Sequence, residues 1–86
     1  MDAEEYTLDE LVEWTRVIAK ELEAAMAQRG APQLDLEWLL LRCQDTLRGT
    51  GRAARVSGLQ LLRDVAEFDA EFPGRLSHAR PVRGGG

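Results

Sequence analysis

The chain has 86 residues, 44% of them hydrophobic and 30% charged, with a net charge of −4, which is the composition of one ordinary globular domain. Its single cysteine, Cys43, excludes an internal disulfide and a cysteine-built metal cluster. No unbroken apolar run is longer than the four residues Trp38 to Leu41, which leaves no membrane span or secretory leader to read, so a reducing, cytoplasmic setting is expected.

Three helix starts are predicted from one pattern: an apolar residue, a capping side chain, and an apolar residue at the fourth helical position. Tyr6, Thr7 and Leu11 carry it first, Leu34, Asp35 and Leu39 second, Val56, Ser57 and Leu61 third. The flanking pair staples the incoming chain to the first turn, and the Thr, Asp or Ser oxygen accepts an orphan backbone N–H. Glu10 and Gln60 complete capping boxes in the first and third cases.

The first helix is predicted over residues 8–29. Its stripe is Leu8, Leu11, Thr15, Ile18, Leu22 and Ala25, widened by Val12, Ala19 and Met26. Gly30 suits a left-handed stop, and Pro32 prevents continuation. A second helix over 36–48 carries Leu36, Leu39, Leu40, Cys43 and Leu47, and Gly49 ends it. The connection between the two is short and favours antiparallel neighbours. An arginine-bearing loop follows from Gly49 to Val56, in which Arg52 to Arg55 has the composition of a helical turn. The third helix, over 58–72, turns Leu61, Leu62, Val65, Phe68 and Phe72 inward before Pro73-Gly74 stops it. The expected fold is therefore all-α: a three-helix, mostly antiparallel bundle over 7–73. Residues 1–6 form a lead-in, and 74–86 form a flexible basic tail ending in Gly-Gly-Gly.

These boundaries make the first helix the longest, about 33 Å at 1.5 Å per residue, against about 20 and 22 Å for the others. Its first turns then lack cover within the chain. Trp14 and Val17 form a second ridge beside the main stripe, and Trp38 and Leu41 lie off the stripe of the second helix. Leu8, Leu11, Trp14, Val17, Trp38 and Leu41 are thus the candidate partner interface, for another protein or for a homo-oligomer built through the first helix.

Chemistry is harder to find. Cys43 lies on a core stripe, and the single histidine, His78, lies in the tail, so no cysteine–histidine dyad is expected. No carboxylate–histidine spacing supports a metal. Gly49-Thr50-Gly51-Arg52 lacks the Lys-Ser/Thr end of a phosphate loop. Ser57 sits in Val56-Ser57-Gly58 and not in the Asp-Ser-Leu of a carrier-protein attachment site. No catalytic residue, cofactor or metal is expected, and the chain does not read as an enzyme.

Charge divides the chain. Residues 1–47 sum to −7 and residues 48–86 to +3. The overall acidity argues against nucleic acid as main partner, and a membrane is not expected. The leading expectation is a non-catalytic interaction or adaptor module, or a small subunit of a larger complex. The alternative is a nucleic-acid or phosphate contact through Arg48, Arg52 and Arg55 and the tail arginines.

Overall fold

The computed structural model describes residues 6–81. Three helices, α1 (Leu8–Met26), α2 (Gln33–Arg48) and α3 (Gly51–Glu71), pack against one another with no strand among the described residues. The three-helix all-α bundle expected from the periodicity is what forms.

Of the three predicted starts, the first holds in detail. The Glu10 N–H donates to Thr7 Oγ1 at 3.1 Å, and the Thr7 N–H donates to Glu10 Oε1 at 2.8 Å. The other two patterns are not used. α2 begins at Gln33, with Pro32 at the cap position, so Leu34 and Asp35 both sit inside the first turn and Leu34 is exposed there. Asp35 still favours the positive end of the helix dipole from there. α3 begins at Gly51, seven residues before the predicted Gly58. Ser57 is therefore an interior residue and not a cap. The stretch Arg52-Ala53-Ala54-Arg55 favours helix strongly enough to carry it back to Thr50.

α1 ends at Met26, three residues short of the predicted Arg29. Ala27 and Gln28 donate to the carbonyls of Ala24 and Ala25, which tightens the last turn. The Gln33 side chain then takes the Met26 carbonyl at 2.5 Å. Gly30, at φ +75°, makes the left-handed turn toward α2.

These boundaries reverse the length argument. α3 has 21 residues against 19 for α1 and 16 for α2, so the first turns of α1 do have an intrachain partner. Leu11 is fully buried, and α3 crosses it at Gly58, where an added Cβ would meet the Leu11 Cβ at 3.3 Å. Glycine is what lets the two helices approach so closely there. The core is Ile18, Leu22 and Ala25 of α1, Leu36, Leu39 and Cys43 of α2, and Leu61, Val65 and Phe68 of α3. Buried Thr15 and Thr46 donate to the carbonyls four residues back, Leu11 and Arg42, which satisfies both hydroxyls.

Cys43 belongs to this core, and burial pushes its thiol up to about 12. A thiol held neutral is a poor nucleophile. Labelling of the native protein with an aromatic disulfide reagent is expected to proceed only through unfolding. Its rate should rise with denaturant in step with loss of helical circular dichroism.

The segment after α3 does not hang free. Leu76 is buried with the core and Pro81 is buried beyond it. Residues 75–81 form a strap that runs back along α1, which corrects the expectation of a mobile tail from Gly74. The lead-in residues 1–5 and the tail residues 82–86, with the three terminal glycines, lie outside the described residues.

Candidate interaction surfaces

The strap is tied at three levels, once to the turn after α1 and twice to α1 itself. Arg75 Nη1 donates to Gln28 Oε1 at 3.2 Å. The N–H groups of Ser77 and His78 both donate to Glu21 Oε1, at 2.7 and 3.1 Å, and the His78 ring meets Glu21 Oε2. The Trp14 indole N–H donates to the His78 carbonyl at 2.7 Å. Trp14 is consequently 4% exposed. Beside it lies a groove of about 280 Å³ lined by Asp9, Glu10, Glu13, Trp14, Val17, His78 and Arg80.

Partial burial opposes the charge on Glu21. The His78 ring, the two backbone donors and the charge of His78 outweigh it, so the carboxyl titrates below its usual value. A depressed carboxyl stabilises the fold above its unfolded pKa and loses that contribution as pH falls through the folded one. The strap is therefore expected to be tight at neutral pH and to loosen below about pH 4. Glu21→Gln should remove that acid dependence and cost about 1 kcal/mol. Amide exchange at Ser77 and His78, together with Trp14 emission in a Trp38→Phe background, checks both points.

α2 is apolar on two opposite sides. Leu36, Leu39, Cys43 and Thr46 face the core. At 3.6 residues per turn, Leu34, Trp38 and Leu41 fall on the far side. They are 82%, 49% and 59% exposed. Arg42 flanks this ridge with its guanidinium 5.0 Å from the Trp38 ring centroid, a cation–π contact that restrains the indole. The Arg42 Nε lies 3.4 Å from Asp64 Oδ2, and Gln60 donates to Asp64 Oδ1 at 3.3 Å. Asp64 is 8% exposed, so this arginine is the cation set against a nearly buried carboxylate. Grooves run along both sides of the ridge. One is lined by Trp38, Leu39 and Phe68 with the acids Asp35, Glu67 and Glu71, and the other by Glu37, Leu40, Leu41 and Gln44.

The predicted interface residues therefore divide. Leu11 is core, Leu8 is half-buried, and Trp14 is covered by the strap. Val17 borders the strap groove. Trp38 and Leu41 stand together on α2 and share no groove with Trp14. Leu34, expected to staple the start of the second helix, stands on this surface with them. The 4-3 spacing of 34, 38 and 41 is the signal that would have found it.

The arginines do not form a loop. The α2–α3 connection is Gly49-Thr50, and Arg52 and Arg55 lie in the first turns of α3. Arg48 and Arg52 are exposed on either side of the connection. Arg55 is half-buried, and its Nη1 donates to the Tyr6 carbonyl at 2.8 Å, which holds the start of the chain against α3.

Among the described residues no helix is long and apolar enough to cross a membrane, and no group of three His, Cys, Asp or Glu side chains is placed to hold a metal ion. Compared with protein-family models, with curated proteins and with solved structures, the chain finds no match.

Proposed function

We propose that the protein is a non-catalytic interaction module, an adaptor or a small subunit of a larger complex, that docks a protein partner on the outer face of α2. One observation carries the reading: Leu34, Trp38 and Leu41 form an apolar ridge directly opposite the core side of the same helix. A helix that is apolar on both sides is normally covered on both sides. The ridge also has the i, i+4, i+7 spacing with which one helix anchors on another. Its central residue is a tryptophan, the type that most often dominates interface energy. Contiguous apolar surface of this kind marks interaction sites, whereas single exposed apolar residues do not.

The phosphate-binding alternative has less support, because Arg55 is committed to the Tyr6 carbonyl and only Arg48 and Arg52 are presented near the connection. Salt separates the two: binding through phosphates weakens steeply as salt rises, and binding through an apolar ridge does not.

Photo-crosslinking in cells tests the docking reading. A photoreactive residue in place of Leu34 should give a discrete protein adduct that disappears when Leu41→Glu is added. The same residue in place of exposed Arg16 on α1 should give none. Equal adducts at both positions, or none at Leu34, would overturn it.

A further inference from the structure

We infer that the occupant of the outer α2 face is a second copy of this chain, with its α2 packed antiparallel to the first across a two-fold axis. The inference rests on the docking reading and adds the partner and its register.

The ridge continues past Leu41 through Asp45 and Arg48, so positions 34, 38, 41, 45 and 48 repeat in the 4-3-4-3 spacing of a helix-pair seam. Two copies can lay these seams together in two directions. A parallel pair sets each residue against its own counterpart, so Asp45 faces Asp45 and Arg48 faces Arg48 of the second copy, at a cost in repulsion. An antiparallel pair avoids both. Trp38 then packs on Leu41 of the second copy, twice over, in the two central layers. Leu34 covers the stem of Asp45 of the second copy in the outer layers.

The flanks also fit the reversed direction. A two-fold axis that reverses the helix keeps each flank of the seam against the same flank of the other copy. Asp35 and Arg42 lie one heptad apart on one flank, so each meets its opposite charge across the axis. Glu37 and Gln44 lie on the other flank and meet there. Arg42 is already oriented for this role. Its guanidinium rests over Trp38, its Nε is turned to Asp64, and its side chain is still 39% exposed. The α2 seam thus sets like charges against each other when parallel, and its Asp35–Arg42 flank pairs opposite charges when reversed. The seam is one 16-residue helix, at the small end for stable association, so a dimer in the range of roughly 10–100 μM is expected.

Sedimentation equilibrium of the purified chain from about 1 μM to about 1 mM reads this directly. The wild type should pass from monomer to dimer. Trp38→Ala should weaken the dimer at least roughly 30-fold, and Asp35→Arg about tenfold. Leu34→Glu should abolish it, and because Leu34 is 82% exposed that variant should keep the fold, as a thermal melt at low concentration checks. Direction is read by mixing Leu34→Cys with Asp45→Cys under mild oxidation, while native Cys43 stays buried. The antiparallel pair joins the two different variants, and a parallel pair would join Asp45→Cys to itself. A strict monomer at the highest concentration, a dimer unmoved by Leu34→Glu and Trp38→Ala, or self-joining of Asp45→Cys would each overturn the inference. A strict monomer that still gives a Leu34-specific adduct to a different chain in cells would overturn the second copy alone and leave the docking reading standing.

Discussion

Gly58→Leu is expected to be the most damaging single substitution in the chain, at about 3 kcal/mol. A Cβ at this position meets the Leu11 Cβ at 3.3 Å and the Thr46 methyl at 3.6 Å. All three helices converge on that point, so a branched side chain has nowhere to go without parting α3 from α1. A domain of this length has only about 4–13 kcal/mol in total, and a loss of this size lowers the melting temperature by roughly 10–20 °C. Gly58→Ala is the informative control. It adds a single methyl under the same squeeze and gains helix propensity of about 1 kcal/mol, so it should fall far short of the leucine variant. Thermal melts followed by circular dichroism give both values. Equal losses for alanine and leucine would mean that the close approach is not the constraint.

Arg42→Ala is expected to cost about 2 kcal/mol. The loss comes less from the ion pair than from what it leaves behind. Asp64 is 8% exposed, and without Arg42 its remaining side-chain partner is Gln60 at 3.3 Å. A nearly buried carboxylate stripped of its cation keeps its desolvation cost and loses the compensation. The figure is set below that of a fully buried pair because Arg42 is partly exposed, which lets solvent share in the screening. The same change removes the cation from the Trp38 face. The double variant Arg42→Ala/Asp64→Leu should recover most of the loss, since removing both partners leaves no orphan charge. Urea titrations of the two singles and the double complete the cycle. A double variant no better than Arg42→Ala would show that packing of the arginine stem, and not its charge, is what matters.

The fold was legible because periodicity is a global signal and capping is a local one. Leu61, Val65 and Phe68 keep their spacing whatever begins the helix, and they were placed correctly. The cap at Ser57 had every local feature of a start, yet it lies inside α3. A capping side chain offers the backbone one option, and seven additional helical residues, with Ala54 buried among them, outcompete it. The signal for the longer helix was present in Ala54 and Gly58, which extend the α3 stripe backward at 4-3 spacing. They went unread because alanine and glycine carry little hydropathy. The candidate interface was legible only in part for a related reason. Trp14 and Trp38 look alike in sequence, each lying beside a core stripe. What separates them is a strap more than sixty residues further on, and nothing near Trp14 announces it. Leu34 shows the converse case, in which assigning a residue to a staple removed it from the surface where it stands.

The hydrogen bond from Trp14 to the His78 carbonyl joins residues 64 apart in sequence. The α1–α2 and α2–α3 hairpins close over short connections, so they gain contacts early and at small loop-closure cost. The strap has nothing to bind until α1 is already seated in the bundle. It is therefore the last piece of the described chain to settle and the first to leave, a unit of low local stability fastened to a more durable one. The two tryptophans consequently keep different time: Trp14 records when the strap has settled, and Trp38, in the groove between α2 and α3, records the bundle that forms before it.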